Sequence, residues 1–200
     1  MQKQLVDSPS RYSTIAIALH WIVAALFLAS YVSVYYRRWF TERGTPENLS
    51  ALQLHLAIGV TIAAFVIARV LWRMSNPPPP PIAAPAWQLR TAHITHVALY
   101  AFMIVMPITG YLGSSAAPEY FGLPKFEDTA LFQWLVVERM GLTFKEFEVP
   151  IDFIHKRSGA YVIWVLIALH AGAALYHHFI LRDSVLVRML PAADHTKPVA

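Results

Sequence analysis

The sequence predicts an all-α integral membrane protein: a four-helix up-and-down bundle with a long loop between the third and fourth spans. Three observations lead there. Apolar residues make up 56% of the 200-residue chain and charged residues 14%, against about 45–50% and about 25% in ordinary soluble domains. The surplus is gathered into four runs, each near the roughly 20 residues that cross a bilayer. Aromatic and arginine side chains crowd the ends of those runs, where a span meets the headgroups. Residues 1–200 are read as one membrane domain of a single bundle.

The first span is expected at about 14–36. A polar leader with Lys3, Asp7 and Arg11 precedes it. The run is longer than a signal-peptide core and contains His20, so it reads as a retained span. Tyr31, Tyr35, Tyr36 and Trp39 mark its far end, and Arg37-Arg38 closes it. Gly44-Thr45-Pro46 signals a turn. The second span, about 51–72, carries His55 just inside its start and Arg69 and Arg73 at its end, where their long stems reach the surface. Pro77 to Pro81 and Pro85 cannot continue a helix. They read as a stiff extended connector, with a docking segment for a partner as the other possibility.

The third span is expected at about 91–112. His93 and His96 lie near its start, and Pro107, Gly110 and Gly113 kink or loosen its end. A loop of some forty residues then reaches Asp152, long enough to imply a functional or capping role. Within it, residues 130–137 are apolar but too short to span, and read as an interfacial helix or a lid. The fourth span is expected at about 158–181, followed by a polar tail.

Composition also excludes several chemistries. The chain has no cysteine, which rules out disulfides, thiolate zinc sites, iron–sulfur clusters and covalent haem attachment. The net charge of +4 suits basic flanks, and no basic tract with interleaved aromatics points to nucleic acid. Four spans place both termini on one side. Lys and Arg are evenly divided between the two sides, while Glu119, Glu127, Asp128, Glu138, Glu146, Glu148 and Asp152 gather on the other. The expected orientation puts both termini in the cytoplasm.

Nine histidines remain as the strong metal-binding side chains. An ionisable residue inside a span is a functional candidate by default. In an up-and-down bundle, His55 and His155 are the only histidines at the side away from the termini, so a two-imidazole site there requires both. His20, His93, His96, His170, His177 and His178 fall towards the other side. A wide planar cofactor needs close backbone approach, and small residues stand one turn beyond four of the histidines: Ala24 after His20, Gly59 after His55, Gly159 after His155 and Ala174 after His170. Tyr100 follows His96 at that spacing, Leu181 follows His177 and Arg182 follows His178. Depth and spacing together pair His20 with His170, and His55 with His155.

His155 and His170 are fifteen positions apart, about 22 Å along one helix and roughly 60° around it. Two levels of imidazole imply two stacked haems, each with its iron axially filled and suited to electron transfer. Arg69 or Arg73 on one side, and Arg37, Arg38 or Arg157 on the other, suit haem propionates. His93 and His96 read as packing, supporting or quinone-site residues, and His177 and His178 as an interfacial pair. His195 is assigned nothing.

At these residues the chain resembles the bacterial cytochrome b561 family. The resemblance is carried by Ala18-Leu19-His20-Trp21, by Leu54-His55-Leu56-Ala57-Ile58-Gly59 with Arg69, and by Ala92-His93-Ile94-Thr95-His96 with Pro107 and Gly110. His155, Leu169-His170-Ala171, His177-His178, Asp183, Leu186 and Arg188 to Pro191 complete it. It covers nearly the whole length. The resemblance implies a bundle in the bacterial inner membrane with two non-covalent b haems, iron-ligated by His20, His55, His155 and His170. The chain is similar to the four-span type that oxidises superoxide outside the membrane and reduces ubiquinone, which makes a superoxide:ubiquinone oxidoreductase the expected activity. Lys156, Arg157, Arg37 and Arg38 would form a positive mouth for a small anion. Expected partners are the lipid bilayer, a quinone, and a small-molecule or protein electron donor. Two other functions stay open: a haem b membrane-anchor subunit of a larger dehydrogenase or hydrogenase, and a histidine-rich non-haem membrane protein.

Overall fold

The computed structural model describes residues 11–191; Lys3, Asp7, His195 and Lys197 lie outside them. Four long helices are apolar enough to cross a membrane: α1 (Thr14–Phe40), α2 (Pro46–Ser75), α3 (Ala86–Leu112) and a fourth, Phe144–Leu181. Among the described residues there is no strand.

Each helix outruns its apolar core, because backbone pairing continues through the headgroup region until a capping residue stops it. Ser13 caps α1, its Oγ accepting from Ala16 N–H at 3.1 Å. Thr45 caps α2 ahead of Pro46, whose fixed φ suits the first helical position. Asn76 and the prolines after it end α2; α3 begins immediately after Pro85 and stops at Gly113.

The fourth helix differs most from expectation. It begins at Phe144, so the connection from α3 spans only residues 113–143 and His155 lies well inside a helix. A reciprocal capping box explains the start: Glu146 N–H donates to Thr143 Oγ1 at 3.4 Å, and Thr143 N–H donates to Glu146 Oε2 at 2.8 Å. Lys145, Glu146, Glu148 and Asp152 make this portion polar, so hydropathy alone does not mark it as helix. The helix is unbroken but contains two π turns, at Ser158–Val162 and His177–Leu181.

α1 packs on α2, α2 on α3, and α3 on the fourth helix. Contacts between α1 and the fourth helix close the ring, including Tyr31 with Trp164 at 4.5 Å between ring centroids. Val23, Ile62 and Val66 form the buried mid-bundle cluster, with Leu26, Phe27 and Met103 against it. Leu28, Val32, Ile67, Ile94 and Val165 are exposed apolar residues on the outer surface of the ring, the arrangement expected where lipid replaces water.

Each end of the bundle has its own closure. At the end away from the termini, Phe126, Phe132 and Val136 of the 113–143 connection bury against Tyr111, Phe144 and Phe147. Gln53 ties the connection to α2, donating to Ala117 O at 3.0 Å and accepting from Glu119 N–H at 3.1 Å. The apolar stretch at 130–137 forms a helical turn, Ala130–Phe132, that continues as π helix over Gln133–Arg139.

At the other end, the segment after Leu181 folds back across the bundle. Arg11 donates to Leu190 O, Trp21 Nε1 donates to Met189 O at 2.8 Å, and Arg188 donates to Pro80 O at 2.8 Å. The proline-rich connector thus supplies a carbonyl to its own chain. Asp183 anchors the segment, meeting His177 Nδ1 at 2.5 Å and accepting from Val185 N–H at 2.9 Å. Partial burial works to raise the Asp183 carboxyl, but those two hydrogen bonds outweigh it and hold the group below its ordinary 3.8.

Candidate paired-histidine sites

The four histidines selected by depth and spacing come together as two facing pairs. His55 of α2 and His155 of the fourth helix stand with ring centroids 6.3 Å apart. His20 of α1 and His170 of the fourth helix stand 6.0 Å apart. Two imidazoles about 2 Å from one shared metal, on opposite sides of it, have ring centres about 6 Å apart. Both pairs match that separation.

The pair far from the termini is supported on both rings. His55 Nδ1 lies 3.3 Å from Ser30 O, with Ser33 Oγ at 3.2 Å. His155 Nδ1 lies 3.1 Å from Met106 O, with Thr109 Oγ1 at 3.2 Å. A carbonyl oxygen only accepts, so each Nδ1 carries the proton and each Nε2 keeps its lone pair. That is the tautomer a histidine needs to bind a metal through Nε2, fixed by a hydrogen bond on the other nitrogen.

Gly110 lets His155 reach this position. A Cβ at Gly110 would lie 2.8 Å from His155 Cε1, so no larger residue fits without moving the ring. Gly113, one turn on, brings α3 against the fourth helix: its Cβ would lie 3.2 Å from Asp152 N. At Gly59, one turn beyond His55, a Cβ would meet no protein atom within 4 Å. The helix face below His55 is therefore open to a planar group.

The pair near the termini is more crowded. His96 lies 5.2 Å from His170, so three histidines share this level. Arg69 Nη2 sits 3.2 Å from His20 Nδ1, and its guanidinium lies 5.6 Å from the Tyr100 ring centroid. A guanidinium only donates, so this contact makes His20 Nδ1 the acceptor, the reverse of the other site. A ligand role for His20 through Nε2 needs Arg69 to leave that nitrogen. An anion offers Arg69 another partner, and three positions on in α2 the Trp72 indole N–H is buried with no acceptor among the described residues. A carboxylate-bearing cofactor suits both donors.

His93 is exposed on α3, one turn from His96. His177 is engaged with Asp183. Among the positively charged residues expected at the far mouth, Lys156 is paired with Asp152 at 2.6 Å, and Arg157 lies over Phe153 and Tyr161. Arg37 donates to Asn48 Oδ1 at 3.3 Å. Of these contacts only the Lys156–Asp152 pair offsets a charge, while Arg157 and Arg37 keep theirs. Ser30, Ser33, Met106, Thr109 and Gly110 support the site without having been singled out for it. Two serines three positions apart in a lipid-embedded helix were the available signal, since a hydroxyl there needs a partner.

Comparison with known proteins points one way. The family model described as prokaryotic cytochrome b561 matches residues 11–192. Cytochrome b561 homolog 1 of Escherichia coli (strain K12) is 31% identical over 192 residues, covering 91% of this chain and 98% of that protein. Cytochrome b561 homolog 2 of the same organism is 33% identical over 198 residues, covering 92% and 93%. A probable superoxide oxidase CybB of Yersinia pestis is 27% identical over 186 residues, covering 90% and 96%.

Proposed function

Because the chain belongs to the prokaryotic cytochrome b561 family, a group of multi-pass haem b membrane proteins that transfer electrons, we propose that it moves electrons across the bacterial inner membrane between two b haems. His55 and His155 hold one, and His20 and His170 hold the other. The carrying observation is the far pair: two facing imidazoles 6.3 Å apart, each with Nδ1 bonded to a backbone carbonyl. Haem b held by these histidines would supply a one-electron iron couple.

The chain's own residues orient, exclude and neutralise. Ser30 and Met106 fix the two rings and raise their basicity as ligands. The mid-bundle cluster of Val23, Ile62 and Val66 keeps water out between the two levels. Arg69 and Trp72 would hold haem carboxylates near the termini, which would leave His20 Nδ1 free of its contact with Arg69. The donor in this reading is superoxide at the far side and the acceptor is ubiquinone. Two superoxide ions each give one electron; ubiquinone takes both with two protons and leaves as ubiquinol. Similarity to the probable superoxide oxidase of Yersinia pestis supports the choice of donor.

A second reading, a haem anchor subunit of a larger dehydrogenase or hydrogenase, is favoured by one observation. Leu131, Trp134, Leu135 and Met140 of the 113–143 connection are exposed together, a surface suited to a protein donor.

Purified protein tests the proposal. A pyridine haemochrome assay is expected to give two haems per chain, and His55→Ala or His155→Ala one. His20→Ala or His170→Ala is expected to remove the other. Two haems retained after any of these changes rejects the ligand assignment. Rapid mixing with superoxide then separates the two functions: reduction of the lone chain and turnover with ubiquinone favour the first.

A further inference from the structure

Between His155 and His170 the fourth helix is not regular. At the π turn Ser158–Val162, the Ile163 N–H pairs with Ser158 O. In an unbroken α-helix that N–H would pair with Gly159 O. The Gly159 carbonyl therefore loses its donor within the helix. Tyr31 of α1 replaces it, its hydroxyl donating to Gly159 O at 2.7 Å. Tyr31 is itself held in place: its ring centroid is 4.5 Å from that of Trp164, whose indole N–H reaches the Tyr35 hydroxyl at 3.3 Å. A Cβ at Gly159 would lie 3.3 Å from Met106 Cε, so the turn packs directly against that side chain of α3.

A π turn absorbs one residue without advancing the helix. Fifteen α-helical positions set His170 about 60° from His155; with one absorbed, the offset is about 40° in the opposite sense. The turn thus swings one ring by about 100° relative to the other. That rotation decides which neighbour each ring meets, and in the structure His155 meets His55 of α2 while His170 meets His20 of α1.

We propose that Tyr31 is a positioning residue whose hydrogen bond to Gly159 holds open the π turn that sets His155 and His170 in register with their partners on α2 and α1. The inference rests on the ligand roles proposed above. Tyr31 touches neither ring; it acts through the backbone of the fourth helix.

Deleting Ala160 tests it. Removal of one residue from the turn closes it into regular α-helix and keeps the two histidines in their present register. The deletion variant is expected to fold, to hold as much haem as the unaltered protein, and to keep both low-spin signals in electron paramagnetic resonance. Loss of either haem, or failure to accumulate in the membrane, overturns the proposal. Tyr31→Phe in the full chain is expected to shift the signal that His55→Ala abolishes. It is also expected to speed transfer of that haem to apomyoglobin by about fivefold, the worth of one hydrogen bond. In the deletion background the same substitution is expected to change neither. Equal effects in both backgrounds overturn the role of Tyr31. The unaltered protein is the control for the underlying reading: if it holds other than two haems, the ligand assignment fails first and the proposal falls with it.

Discussion

Gly110 shows how much one carbon atom decides. A Cβ there would sit 2.8 Å from His155 Cε1 and 3.3 Å from its Nδ1, within reach of the atom that bonds Met106 O. Gly110→Ala is therefore expected to cost about 1–3 kcal/mol of stability, the usual penalty for overfilling a packed site. It should lower the content of the haem proposed at His55 and His155 ahead of the other. Gly172→Ala is the matched control: its Cβ would meet nothing within 4 Å, and in a helix alanine gains up to about 1 kcal/mol over glycine. Thermal melts with haem stoichiometry for both variants check this, and equal melting temperatures would remove the steric argument. The proximity of His20 to His170 and of His55 to His155 was expected from depth and from the small residues one turn beyond them, and the structure brings those rings together. The role of Gly110 was not, because it belongs to α3 while the ring it admits belongs to the fourth helix.

Among the elements, the fourth helix departs furthest from its hydropathy profile. Hydropathy marks the segment that sits in lipid, whereas a helix continues as far as its caps allow. The Thr143–Glu146 capping box was present in the sequence as a helix-start signal, masked by the charges that follow it. Thr143→Ala is expected to destabilise the first turn by about 1 kcal/mol. Faster amide hydrogen exchange confined to residues 144–150 is the expected readout, and unchanged exchange there would show that the cap is dispensable. Within the connection before it, residues 130–137 were expected as an interfacial helix or a lid; they form a short helical stretch whose Phe132 and Val136 pack with Phe126, and Gln53 fastens the connection to α2.

For the whole molecule, the bundle has two unlike ends. One carries the termini, Arg69, Arg73 and the folded-back segment tied to Trp21 and Pro80; the other carries the acidic 113–143 connection. Basic residues divide evenly between the ends, so orientation is proposed from the acids and from the long connection rather than from charge excess. With both termini in the cytoplasm, a C-terminal green fluorescent protein fusion is expected to fluoresce and a C-terminal alkaline phosphatase fusion to be inactive. The opposite pair of results would place the His55–His155 site on the cytoplasmic side and remove external superoxide as its donor.

The sequence by itself determined the number of long helices, their alternation across the bilayer and the level of the histidines within the spans. It could do so because a membrane turns depth into a one-dimensional pattern: apolar length sets the span, and position along the span sets the height. Only the tertiary structure decided which backbone carbonyls fix the ring tautomers, that His96 joins the level of His20 and His170, and that Arg69 competes for His20. Those outcomes depend on rotation about helix axes and on the closeness of neighbouring helices. A single inserted π residue changes the first by about 100°, and a single Cβ changes the second, without altering any span that hydropathy can detect.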